Sequence, residues 1–150
     1  MEKALGGEKR VRRLKHYSSD QKILIVGDGD FSFSLALAMA FGSGTNLLAT
    51  SLDTYVALTI KYRNAESNIM ELKRLGATVL HGVDVKTMKF HTELKNRRFD
   101  RIVFNFPHSG FKGRETELHV IKYRSHLSSI YLSQKHSMLR NCDAVKNEKN

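Results

Sequence analysis

The chain has 150 residues, 41% apolar and 27% charged, and its 25 Lys and Arg against 15 Asp and Glu give a formal net charge of +10. That length suits one domain, and the apolar fraction is enough for a core. The longest apolar run (35–41) is too short to cross a membrane, the charged start lacks a secretory h-region, and the single Cys142 excludes a disulfide framework or a cysteine-based zinc site. The expectation is a soluble, intracellular protein with a polyanionic partner, most often nucleic acid, although a basic excess also serves solubility alone.

Residues 1–20 show no apolar periodicity and read as a basic arm carrying Lys9, Arg10, Arg12, Arg13 and Lys15, either an RNA-contacting or import segment or a solvated tail. Residues 21–140 read as the domain and 141–150 as a polar tail. Ile23, Leu24, Ile25 and Val26 form an aliphatic run without polar alternation, as in a strand buried on both faces. It stops at Gly27-Asp28-Gly29-Asp30, and 31–41 reads as a buried helix with Asp30 or Ser32 as N-cap. A second strand over 47–51 ends just before Asp53. Leu58, Tyr62, Ala65, Ile69, Leu72 and Leu75 recur at spacings of four and three, predicting one continuous helix that Gly76 closes.

Thr78, Val79 and Leu80 make a third strand, with Asp84 shortly after. Residues 85–97 read as a short helix burying Met88, His91 or Leu94, and Ile102-Val103-Phe104 as the fourth strand. A long helix is expected from about 115 to 139. Alternating strands and helices imply a parallel sheet with right-handed crossovers, and ligands of such sheets sit beyond the C-terminal strand ends. Those ends carry the residues 27–30, Asp53, Asp84 and 105–108, so a Rossmann-like site is the default.

The loop Gly27-Asp28-Gly29-Asp30-Phe31-Ser32 keeps two glycines of the dinucleotide fingerprint and has Ser32 where the third belongs. A purely structural turn would use glycine for the same reason. A pyrophosphate at this helix start would meet Asp28 and Asp30, whereas S-adenosylmethionine presents a sulfonium and an ammonium, so the acids favour it over a dinucleotide. Asp53 would accept both ribose hydroxyls and Asp84 the adenine amino group, although capping or turn roles compete at each Asp. Asn105, Phe106, Pro107 and His108 are the candidates for the reaction: amide and backbone carbonyls to hold a planar N–H group, a ring to stack a base, and an imidazole to take a proton. The bland alternative is that Pro107 ends the strand and His108 is an ordinary loop residue. The seven histidines show no close metal-ligand spacing, so no metal is expected.

The segments ILIVGDGDFSFSLALA, LLATSLDT, GATVLHGVDVKTM and FDRIVFNFPHSGF resemble, in order, those of the 25S ribosomal-RNA (uridine-N3) methyltransferase family, over roughly 17–140. The resemblance implies an α/β, Rossmann-like three-layer sandwich, S-adenosylmethionine as donor, and uridine N3 of large-subunit ribosomal RNA as acceptor. By position it gives donor roles to Gly27, Asp28, Gly29, Asp53 and Asp84, and the acceptor role to Asn105, Phe106, Pro107 and His108. Asn105 to His108 also resemble the Asn-Pro-Pro-aromatic motif of amino-group methyltransferases, departing at the second and fourth places. Lys9, Arg10, Arg12, Arg13, Lys15, Lys95, Arg97 and Arg98 would contact phosphates of ribosomal RNA or a pre-ribosome, in the nucleus, nucleolus or cytoplasm.

Class I methyltransferases continue into further strands where this sequence turns polar after Leu139, so an incomplete fold of about four mainly parallel strands is expected. One sheet edge would then be left for the final helix to cover in part. A catalytically inactive, shortened paralogue acting as an RNA- or protein-binding module is the alternative, and a nicotinamide oxidoreductase ranks third. Oligomeric state is not legible.

Overall fold

The computed structural model describes residues 10–104, 129–135 and 137–140. In chain order they form β1 (Arg13–Leu14), β2 (Tyr17–Ser18), β3 (Ile23–Ile25), α1 (Ser32–Phe41), β4 (Leu47–Thr50), α2 (Tyr55–Lys61), α3 (Ala65–Arg74), β5 (Thr78–Leu80), a single 3-10 turn at Met88–Phe90, and β6 (Arg101–Val103). Residues 129–135 and 137–138 are helical. Strands β3 to β6 build one parallel sheet in the order β5-β4-β3-β6, with Ile23 opposite both Leu47 and Arg101. The chain winds outward from β3 through β4 to β5, then crosses back to lay β6 on the other side of β3. That reversal opens a crevice beyond the C-terminal ends of β3 and β6. The fold is α/β and Rossmann-like, as the sequence implies.

The aliphatic run of β3 has no polar alternation because both sheet faces are covered. Ile23 and Ile25 join Leu37, Phe41, Leu58, Ile69 and Leu72 on the face under α1, α2 and α3. Leu24 and Val26 join Val83, Met88, Leu94, Tyr131 and Met138 on the other. None of the described residues forms a helix long and apolar enough to cross a membrane.

Three local expectations are corrected. Residues 13–18 are a hairpin within what reads as a featureless arm: Leu14 faces Tyr17, and Lys15 turns the chain at φ 53. The hairpin is fastened by Ser19 N–H to the Arg12 carbonyl at 2.8 Å and by the Tyr17 ring edge-on to Phe33 at 6.1 Å. The helix read through 58–75 is two helices, since Tyr62 leaves α2 with extended backbone angles and α3 restarts after Asn64. Its periodicity survives because Leu58, Ala65, Ile69 and Leu72 still reach the same core cluster.

Residues 85–97 are turns rather than a helix, apart from Met88–Phe90. Here side chains satisfy the backbone locally and compete with helix hydrogen bonds: the Asp84 carboxylate accepts the Lys86 N–H at 2.9 Å and His91 Nδ1 accepts the Glu93 N–H at 3.2 Å. Met88 and Leu94 are nonetheless buried.

The outer edge of β6 is covered at two places among the described residues. Leu139 pairs in parallel with Phe99, with Phe99 N–H donating to Met138 O at 3.0 Å and Arg140 N–H to Phe99 O at 2.8 Å. The Tyr131 hydroxyl donates to the Ile102 carbonyl at 2.8 Å. The helix before Leu139 thus satisfies an edge carbonyl that a further strand would otherwise take. Gln134, itself buried, ties that helix to the 86–89 turn by accepting the Lys89 N–H at 3.2 Å and donating to the Lys86 carbonyl.

Candidate functional site

At the C-terminal end of β3 the chain reverses at Gly27 (φ 67), where an added Cβ would lie 3.1 Å from Phe104 Cε2 at the end of β6. Only glycine supplies both that angle and that approach. Asp28 N–H donates to the Thr50 carbonyl at 3.0 Å, fixing the loop to β4. Phe31, left-handed at φ 64 with its ring fully buried, takes the N-cap position of α1 and makes no side-chain cap bond. Capping falls to the two acids before it. Asp28 Oδ2 accepts both the Ser34 N–H at 2.8 Å and the Ser34 hydroxyl at 2.6 Å, and Asp30 Oδ1 accepts the Ser32 N–H at 3.0 Å. The expectation of Asp30 or Ser32 as N-cap is therefore corrected: Asp30 caps from one residue earlier, and Ser32 is already helical.

Burial raises the Asp28 carboxyl above the ordinary aspartate value, against the pull of its Ser34 hydrogen bonds. A carboxyl whose pKa is raised by folding favours the fold in its neutral form. Its contribution is complete below the unfolded value of about 3.8 and is lost as pH rises through the higher folded value. The urea midpoint of the wild type, minus that of Asp28→Asn, should therefore fall as pH rises from 3.8 through that window. A constant difference would contradict the burial.

Asp53 lies beyond β4, its side chain about a quarter exposed, with Oδ2 3.4 Å from Lys61 Nζ. Its carbonyl accepts the Gly82 N–H at 3.2 Å, joining the loops after β4 and β5. Among the described residues nothing lies within 4 Å of where a Gly82 (φ 67) Cβ would stand. Asp84 Oδ1 holds the turn after β5 by accepting the Lys86 N–H.

Four residues that the sequence does not single out for a site also belong to this rim. Lys61 pairs with Asp53. The Tyr62 hydroxyl stands 3.1 Å from where a Gly29 Cβ would be, so the break between α2 and α3 delivers Tyr62 onto the loop. Asn68 Nδ2 donates to the Asp30 carbonyl at 3.0 Å. His81 lies edge-on between Phe31 (5.7 Å) and Tyr55 (5.6 Å), and its buried Nδ1 has no hydrogen-bond partner among the described residues. His81 follows β5 directly, so the strand-end rule could have found it. The helical spacing hid Tyr62 as a core position.

Burial, and secondarily Lys73, hold the His81 imidazole below its ordinary value. A depressed histidine pKa gives stability that is present above the unfolded value and lost as pH falls through the folded one. His81→Phe keeps the ring contacts and removes the orphan nitrogen, so it should stabilise the fold by about 1 kcal/mol near neutrality. It should also flatten the loss on the acid side. A lower melting temperature would mean that Nδ1 is satisfied after all.

Of the other candidates, Asn105, Phe106, Pro107, His108 and Lys9 lie outside the described residues. Arg10, Arg12, Arg13, Lys15, Lys95, Arg97 and Arg98 are all exposed. Among the described residues no three His, Cys, Asp or Glu side chains group as a metal site would require.

A parallel sheet of order β5-β4-β3-β6, with a glycine reversal after its first strand and an acid after its second, defines an α/β domain of the Rossmann-like class. The chain belongs to the rRNA (uridine-N3-)-methyltransferase BTM5-like family, whose profile matches residues 24–146. It is 51% identical over 127 residues to heavy metal-associated isoprenylated plant protein 41 of Arabidopsis thaliana, covering 85% of this chain and 25% of that protein. A second, uncharacterized Arabidopsis thaliana protein is 52% identical over 128 residues, covering 84% and 61%. Ferredoxin-fold anticodon-binding domain-containing protein 1 of Homo sapiens is 38% identical over 92 residues, covering 61% and 15%. The chain thus spans between about a seventh and three fifths of the length of these relatives. No solved structure matches it.

Proposed function

We propose that this domain binds S-adenosylmethionine at the C-terminal rim of its sheet and methylates uridine N3 of large-subunit ribosomal RNA. Family membership supports methyl transfer to rRNA. The observation that carries the choice of donor is the start of α1, where Asp28 and Asp30 occupy the N–H groups of Ser34 and Ser32. A dinucleotide pyrophosphate needs such N–H groups free and would meet two carboxylates instead. A donor without phosphate, bearing a sulfonium and an ammonium, meets neither obstacle.

The residues present fit that donor. Asp53 would hold the ribose hydroxyls, Asp84 the adenine amino group, and the backbone of 27–30 would face the methionine portion. Among the described residues none crowds the Cβ position of Gly82 on the same rim. S-adenosylmethionine supplies a methyl group whose carbon–sulfur bond breaks as the carbon–nitrogen bond forms. The chain's own work is to align the N3 lone pair and keep water out. The Phe104 ring lies against Gly27 at the crevice, and Asn105 is the next residue in the chain. In this reading Asn105 grips the imide edge, Phe106 or His108 stacks on the uracil, Pro107 fixes the turn, and His108 takes the N3 proton.

Calorimetric titration with S-adenosylmethionine and with NAD tests the donor. Binding of the former with little or none of the latter is expected, and tighter NAD binding would overturn the assignment.

A further inference from the structure

Two basic stretches far apart in sequence, 10–12 and 95–101, both lie toward the N-terminal end of the sheet: Arg12 lies against Gly42 at the end of α1, and residues 95–100 lead into β6. Lys22 N–H donates to Asp100 Oδ2 at 2.8 Å, the Lys22 carbonyl accepts the Asp100 and Arg101 N–H groups at 2.8 and 3.2 Å, and Arg101 Nε donates to Gln21 Oε1 at 3.2 Å. The hairpin leads into the start of β3, and the 95–100 turn leads into the start of β6 alongside it. Arg10, Arg12, Lys22, Lys95, Arg97 and Arg98 are exposed there, and Arg140 pairs with Asp100 at 3.5 Å. The two acids of these stretches are engaged locally: Asp20, itself exposed, bonds the Ser18 hydroxyl, and Asp100 bonds Lys22 and Arg140.

Between the hairpin and the loop after α1 lies a cavity of about 260 Å³ lined by polar residues such as Arg10, Asp20 and Asn46 and by the apolar Val11, Phe41 and Leu47. It sits at this same end of the sheet, away from the donor rim. Gly27 lies five positions along the chain from Lys22, which puts the two rims roughly 16 Å apart.

We propose that the N-terminal rim is a second RNA-contact surface, gripping the sugar–phosphate backbone of a segment other than the one that presents the target base. This rests on the RNA-methyltransferase reading above. Arginine dominates the rim, and its planar fork suits phosphodiester oxygens. The exposed apolar residues nearby, Val11 and Leu14, are too few to seat in a bilayer, so the surface suits RNA rather than an anionic membrane. Contacts of this kind position a substrate without reading its sequence.

The test compares the wild type with the combined variant Arg10→Gln, Arg12→Gln, Lys95→Gln and Arg97→Gln, using a large-subunit rRNA fragment across a salt series and melting temperature as the check on folding. Removing four phosphate contacts should make the log K against log salt slope shallower by about 3 and weaken low-salt binding by about tenfold or more. RNA binding with an unchanged slope in the variant would overturn the rim and leave the methyltransferase reading standing. A wild-type chain that binds phosphatidylserine vesicles but no RNA would overturn both.

Discussion

Replacing Asp53 with alanine is expected to weaken S-adenosylmethionine binding about tenfold to hundredfold while leaving the melting temperature within a few degrees of the wild type. Hydrogen bonds to a charged group contribute about 1.5–3 kcal/mol, and a ribose offers this carboxylate two of them. The native partner of Asp53 is Lys61, half exposed at 3.4 Å, and an ion pair so open to solvent adds about 0–1 kcal/mol to the fold. Affinity and stability therefore separate at this residue. The Asp53 main chain also positions Gly82, and alanine keeps that carbonyl bond intact. Calorimetry reads the affinity; a dissociation constant within a factor of two of the wild type would remove Asp53 from the donor site.

Gly27→Val is expected to cost about 3 kcal/mol or more, the largest single-residue loss foreseen for the fold. Left-handed backbone costs a residue with a Cβ roughly 1–2 kcal/mol, and a β-branched side chain more. The Cβ would also press on Phe104 at 3.1 Å, and forcing extra atoms into a packed site adds typically 1–3 kcal/mol. Phe104 cannot swing away cheaply, because its ring packs edge-on against Tyr131 at 5.1 Å. The turn, the end of β6 and the last helix are thereby coupled. Gly27→Ala should fall between the wild type and valine in urea denaturation, and an unchanged midpoint for valine would contradict the strained turn.

The strands of the sheet were legible because burial on both faces removes polar alternation, and Ile23, Leu24 and Ile25 carry that signature without ambiguity. The strand-end rule then located the 27–30 loop, Asp53 and Asp84. It located positions rather than partners. That Asp28 bonds Ser34 six residues later depends on Phe31 adopting a left-handed conformation, which nothing in the local sequence announces. The hairpin escaped notice because strands of two residues are too short to show periodicity, and Lys15-His16 is not a turn pair of the Asn-Gly kind. The split of α2 from α3 escaped for the opposite reason: Leu58, Ala65, Ile69 and Leu72 keep their spacing and their core contacts across the break. A break that preserves the apolar face is silent to periodicity, and it is the one that delivers Tyr62 to Gly29.

The charge pattern was legible in sign and not in place. Sequence gives the basic stretches no position in the fold, whereas residues 10–12 and the start of β6 lie toward the end of the sheet opposite Asp53. An RNA reaching both ends would wrap the domain rather than rest on one face.

The most direct test of the central claim is incubation of the protein with methyl-labelled S-adenosylmethionine and large-subunit rRNA, followed by nucleoside analysis of the RNA. Label in 3-methyluridine, lost with Asn105→Ala, is the expected result. Label in another nucleoside, or none at all while the donor binds, would contradict it.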